Sequence, residues 1–173
     1  MHILAGLVAV IGALLLILWR IQQASHAVRD ISEAADDARG FFRRLAWRRK
    51  SGVNPLDLVS DPREAAVAMM AATAEADGAL TERERIVIIR TIVETFGATA
   101  KQAEDLLAQA RWLTKGNIDL GQTYRRLLPP IRKSCTSQEQ QELIAMLQAV
   151  AAAEGAVDPT IAQDIKRLTQ GLQ

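Results

Sequence analysis

The chain has one cysteine, two histidines and few aromatic residues, 4% of 173. With Cys135 alone an intramolecular disulfide is excluded, and a reducing compartment fits. His2 and His26 both precede the segment that reads as a folded domain. Within that segment the zinc spacings, the Cys/His pair and the Ser/His/Asp triad are therefore unavailable. No Gly-rich phosphate loop occurs either. Carboxylates alone would have to supply acid, base and nucleophile, so an enzyme is the least supported reading, and no catalytic or cofactor-binding residue is nominated. Abundant Ala and Leu with five Pro favour helix over sheet, and an all-α fold is expected.

Residues 1–20 read as a membrane anchor. The uncharged apolar run from Ile3 to Trp19 would span about 26 Å as a helix, close to a bilayer core. The first formal charge, Arg20, follows the run, which fits a retained anchor better than a cleaved signal peptide or a buried helix of a soluble protein. Trp19 and Arg20 suit the headgroup boundary. The basic residues that follow place the rest of the chain in the cytoplasm, as a single-pass protein of the inner membrane.

Residues 21–50 form an amphipathic, basic neck. Ile21, Ala24, Val28, Ile31, Ala35, Ala38, Phe42 and Leu45 alternate spacings of three and four, the a/d pattern of a coiled coil, so a homodimer through residues 21–45 is one expectation. The alternative is an amphipathic helix that packs on its own domain or lies on the membrane. In "FFRRLAWRRK" the basic residues Arg43, Arg44, Arg48, Arg49 and Lys50 surround Trp47, a composition suited to anionic lipid headgroups. Nucleic acid is not expected as a partner, because residues 51–173 carry 13 basic against 16 acidic residues, a net of −3. Residues 51–61, rich in turn formers, read as a linker.

The remaining segment, 62–173, is punctuated by helix starts. Asp61, Thr81, Thr99, Asp119 and Ser137 each stand three residues before a Glu or Gln, and Asp158 precedes Pro159. These signals predict helices near 62–76, 82–96, 100–113, 119–128, 137–153 and 159–170, with a short turn after Pro129-Pro130. The expected core stripes are Val67, Met70 and Ala74; Ile86, Ile89, Val93 and Phe96; Leu106, Leu107 and Leu113; Leu143, Leu147 and Val150; and Ile161, Ile165 and Leu168.

An internal echo organises this segment. With an offset of 77, "VAMMAATAEADGAL" lies over "IAMLQAVAAAEGAV", which pairs Asp77 with Glu154, Gly78 with Gly155 and Thr81 with Asp158. The first corner nearly spells a calcium loop: Glu75, Asp77, Gly78, Leu80 and Glu84 fall on its third, fifth, sixth, eighth and twelfth positions. The first position, which needs a carboxylate, is Thr73. Read as a helix corner instead, Gly78 takes the left-handed conformation that ends a helix, while Thr81 and Glu84 cap the next. Asp77 and Glu154 then lie at the wrong end of a helix dipole. Either each accepts N–H groups opening the following helix, or a cation sits between them.

A helix, then "ADGALTERE", then a second helix, with another acid-glycine corner near the C-terminus, resembles the TerB-like family of tellurite-resistance proteins. The same fold occurs in the cytoplasmic region of a membrane-anchored DnaJ-type co-chaperone. The resemblance covers roughly residues 55–171. It implies a bundle of six or seven helices with an acidic site, linked to envelope or metal-oxyanion stress and acting through other proteins. On the matching motif, Asp77, Gly78 and Glu84 occupy the first acidic stretch and Glu154 the second. The sequence departs from the pattern in having Glu for Asp at the second corner and Pro159-Thr160-Ile161 in place of a second "ExE", and it contains no "HPD". Two functional expectations follow. One is a membrane-tethered module that docks an as yet unidentified protein. The other is a sensor or buffer of calcium or magnesium, with Asp77, Glu84, Glu154 and Asp158 as ligands.

Overall fold

The computed structural model describes residues 54–116 and 119–172. A 3-10 turn, Pro55–Leu58, leads into six α-helices: α1 Pro62–Ala74, α2 Glu82–Phe96, α3 Ala100–Thr114, α4 Leu120–Ser134, α5 Ser137–Ala151 and α6 Pro159–Leu172. No strand occurs among the described residues, so the all-α expectation holds there. None of their helices is long and apolar enough to cross a membrane. The expected anchor, the neck and their contact residues Trp19, Arg20, Arg43, Arg44, Trp47, Arg48, Arg49 and Lys50 lie outside the described residues.

Helix α1 is the centre of the bundle because it is the helix that can be buried all round. Ala65 through Ala71 are all buried, and four of those seven residues are Ala, so neighbouring backbones approach closely on every side. It packs against α3, α4, α5 and α2, while α6 closes the bundle on α4 and α5. The 3-10 turn docks on α4 and α3 through Leu56, which is fully buried, so this part of the segment expected as linker belongs to the packed structure.

Three expectations are corrected. First, α4 runs through Pro129 and Pro130 instead of ending before them. Each proline removes a backbone N–H, and a proline inside a helix costs about 3 kcal/mol. Leu127, Leu128, Pro130 and Ile131 are nevertheless all buried, and burial of a large aliphatic side chain returns about 1.5–3 kcal/mol each. Packing outweighs the local penalty. Second, α5 is capped by Thr136, not Ser137, in a reciprocal box with Glu139. Third, α2 turns a different face inward. Its buried residues are Glu84, Ile88 and Ile92, whereas Ile86 is 54% exposed and Ile89, Val93 and Phe96 are only partly covered. Four consecutive apolar residues, Ile86-Val87-Ile88-Ile89, give periodicity two faces to choose from, and α2, at the rim, can bury only the narrower one against α1, α3 and α5.

Candidate functional site: the paired helix corners

The two corners follow the 77-residue echo closely: α1 ends at Ala74 and α5 at Ala151, and α2 begins at Glu82 and α6 at Pro159. Both opening helices stop two residues earlier than their apolar patterns suggest. Thr73, at the first position of the calcium-loop register, faces the core. It is 1% exposed, donates to the Met69 carbonyl at 2.8 Å and shares a 2.7 Å hydrogen bond with the Tyr124 hydroxyl. Burial pushes the Tyr124 phenol far up, against the pull of the Thr73 bond, so it stays protonated.

At the first corner two of the N–H groups at the start of α2, those of Thr81 and Glu84, are satisfied within the cap. Thr81 Oγ1 accepts from Glu84 N at 3.3 Å, and Glu84 Oε2 accepts from Thr81 N at 2.9 Å. Glu84 is 6% exposed and folded into this cap. Glu75, the C-cap of α1, accepts from Arg111 Nε at 2.6 Å. Asp77 is exposed and has no hydrogen bond or ion pair with a described residue. Two of the N–H groups expected as its partners, those of Thr81 and Glu84, are taken within the cap. Gly78, expected to be left-handed, is not: among the described residues positive φ occurs only at Gly97, Gly116 and Gly155.

The second corner is built differently. Gly155 has φ 119°, and its N–H donates to the Ala152 carbonyl at 3.1 Å. Asp158 caps α6, its Oδ1 accepting from Thr160 N at 2.7 Å and Ile161 N at 3.3 Å. Those two backbone donors hold the Asp158 carboxyl below its ordinary range. The Thr136 backbone and hydroxyl do the same for Glu139 at the start of α5.

Glu154 joins the corners. Thr81 Oγ1 donates to Glu154 Oε1 at 2.7 Å, across 73 residues of chain, and Arg83 stands 3.9 Å from Oε2. Thr81 thus accepts from its own helix and donates to the second corner. The sequence marks Thr81 as a helix cap and carries no signal for its bond to Glu154.

Of the four nominated metal ligands, Glu84 and Asp158 are occupied in caps, Glu154 by Thr81, and Asp77 has no hydrogen bond or ion pair with a described residue. Among the described residues no group of three His, Cys, Asp or Glu side chains is placed to hold a metal ion. The geometry serves chain folding: it satisfies helix ends and ties two helix pairs together.

Sequence reasoning passed over a second feature. An open groove of about 460 Å³ lies between the 3-10 turn and α4, with Arg125, Arg126 and Pro129 among its lining.

An all-α bundle made of two echoing helix pairs, joined at their corners, defines a small helical domain class. Compared with protein families, residues 63–173 match the family described as tellurite resistance protein TerB, and the chain belongs to that family. No curated protein and no solved structure matches it.

Proposed function

We propose that this protein is a membrane-tethered, non-enzymatic interaction module whose TerB domain docks another protein at the inner face of the cytoplasmic membrane, in the response to envelope or metal-oxyanion stress. The observation that carries this reading is the uncovered stripe on α2. Ile86 is the one exposed large hydrophobic residue among those described, and Ile89, Val93 and Phe96 continue the same side of the helix half-buried. A helix side of this kind suits a partner's apolar surface. The apolar run of residues 3–19 and the basic neck support the tether, and the family description supports the link to stress.

Divalent-cation sensing is the weaker reading, because hard cations need several converging oxygens and only Asp77 retains a carboxylate without a partner here.

Chemical cross-linking of the full chain in its native membranes tests the proposal. A discrete protein is expected to co-purify with the wild type and to be lost in Ile86→Glu, with the melting temperature of the variant unchanged. Recovery of the same partners with both chains would remove α2 as the docking face. Protease added to inverted membrane vesicles is expected to digest the domain, and protection there would overturn the cytoplasmic assignment.

A further inference from the structure

Charge is spread unevenly over the helices. Helices α1, α2, α3 and α6 each mix acidic and basic residues, and α5 carries Glu139 and Glu142 without a base. Helix α4 departs in the other direction, with Arg125, Arg126, Arg132 and Lys133 and no acid along its length. The four lie on one side of the helix. Arg125 and Arg132 stand seven residues apart, as do Arg126 and Lys133, and Pro129 falls between the pairs at spacings of three and four. The result is two basic rows, each about 10 Å long, on either side of an exposed proline.

On other elements basic side chains find acids: Arg63 pairs with Asp61, Arg111 with Glu75 and Arg167 with Asp164. On α4 only Arg126 does so, through Asp57 of the 3-10 turn. Arg125 and Lys133 are exposed and have no hydrogen bond or ion pair with a described residue. Arg132, also exposed, donates to the neutral carbonyl of Gly171. Asp164, which lies against Gly121 at the start of α4, is taken by Arg167. Three of the four basic residues are therefore left without a counter-charge among the described residues.

We propose that this face of α4 rests on the anionic headgroup layer of the membrane to which the chain is tethered. Two observations favour a lipid surface over an acidic protein. A protein interface centres on apolar or aromatic anchors, and this face offers none: Ile86, on α2, is the one exposed large hydrophobic residue among those described. Basic side chains without an anchor suit a diffuse layer of phosphates. The second observation is where the chain enters the bundle. The 3-10 turn packs on α4 and α3, and only residues 51–53 separate its N-cap, Asn54, from Lys50, the last basic residue of the neck. A neck held on headgroups keeps that entry within about 14 Å of them, the reach of a fully extended chain. This inference rests on the reading of the protein as membrane-tethered, and it leaves α2 to the partner protein.

The test is energy transfer in vesicles that hold the purified full chain, from a fluorophore on Gln122→Cys in a Cys135→Ser background to an acceptor on the lipid headgroups. Glu94→Cys, on α2, is the comparison site. In phosphatidylcholine mixed with phosphatidylglycerol, transfer from position 122 is expected to exceed that in phosphatidylcholine alone and that from position 94. Each basic residue near an anionic surface favours it about fivefold, so Arg125→Gln combined with Lys133→Gln is expected to lower the ratio of docked to undocked domain about thirtyfold, with the melting temperature unchanged. Raising salt from about 0.1 M to about 1 M shortens the reach of charge from about 10 Å to about 3 Å and is expected to release the face as well. Equal transfer in the double variant and the wild type would assign the attraction to the neck and overturn the proposal. Equal transfer in the two lipids would overturn it too, and leave the face to an acidic protein. Flotation with phosphatidylcholine vesicles reads the tether separately. A chain that floats without lipid-dependent transfer keeps the tether and loses this face. A chain that does not float loses the tether, and its binding to the mixed vesicles then decides the face by whether the double variant weakens it.

Discussion

The two corners of this domain share a sequence register and solve the same problem with different chemistry. At the first, the turn needs no left-handed residue and the next helix is capped by a hydroxyl, Thr81, boxed with Glu84. At the second, the turn runs through Gly155 at φ 119° and the cap is a carboxylate, Asp158. The acids before the glycines differ as well, since Glu154 accepts from Thr81 whereas Asp77 accepts from nothing described. The register offers a reason. The counterpart of Thr81 is Asp158, a carboxylate without a proton to give, so the bond that holds Glu154 has no mirror image. An internal repeat therefore conserves where helices start and stop more strictly than how each junction is bonded.

The glycines separate the corners most sharply. Adding a Cβ at Gly155 meets no atom but forces a φ that side chains rarely adopt, so Gly155→Ala is expected to destabilise the domain by about 1–3 kcal/mol. Gly78 has equal space and no such φ, and Gly78→Ala is expected to stabilise by about 0.4–1 kcal/mol through the unfolded chain. Denaturant melts of the two variants read this directly, and effects of the same sign would show that the corners share one backbone geometry after all.

Next in size is the shared hydroxyl. Thr81→Ala removes the acceptor for Glu84 N and the donor to Glu154, and a lost N-cap costs about 1–2 kcal/mol. Because the second contact joins the corners, the cost of Thr81→Ala and that of Glu154→Ala are expected to be less than additive in a double-mutant cycle. Strict additivity would mean that the corner-to-corner bond contributes nothing.

These junctions also show what a single sequence discloses. Helix starts were legible wherever a capping residue was followed by Glu or Gln, because that chemistry is local: Asp61, Thr81, Thr99 and Asp119 all cap as read. Core stripes were legible where one face alone is apolar, as for Leu143, Leu147 and Val150 or Ile161, Ile165 and Leu168. Reading failed where tertiary context decides. Burial of Leu127, Leu128 and Ile131 carries α4 through two prolines, and neighbours select Ile88 over Ile86 as the inward residue of α2. At the candidate site the residues were legible and their partners were not, since the bond from Thr81 to Glu154 spans 73 residues with no motif to announce it.

Acid should weaken the Asp158 cap. The Asp158 carboxyl is held low by the N–H groups of Thr160 and Ile161, so its contribution is present above the ordinary carboxylate value near pH ~4 and is lost as pH falls through the lower folded value. The Thr81 hydroxyl carries no charge at either pH. Denaturation midpoints at pH 6 and pH 3 are expected to differ less in Asp158→Asn than in the wild type, because Asn keeps the cap and cannot titrate. An unchanged gap would place the acid sensitivity elsewhere, Glu139 at the start of α5 being the next group held low.

The smallest expected effect concerns Asp77, and its sign decides between structure and ligand. From sequence, a carboxylate beyond a helix C-terminus called for N–H partners or a cation, and with N–H partners its loss would lower stability. In the structure the N–H groups of Thr81 and Glu84 are bonded to each other's side chains, and Asp77 stands exposed, without a bond to them, at the negative end of the α1 dipole. Asp77→Asn is therefore expected to raise the melting temperature slightly, by about 1 °C, whereas Glu154→Ala lowers it by removing the acceptor for Thr81. Calorimetry with calcium or magnesium is expected to find no site tighter than about millimolar, since flexible cation sites draw on six or more oxygens. A micromolar site in the wild type that disappears in Asp77→Asn, with the melting temperature then falling in the presence of metal, would invert the comparison. The first corner would be the ligand site and the second its structural copy, and Asp77 would be kept unpaired by the fold in order to meet a cation.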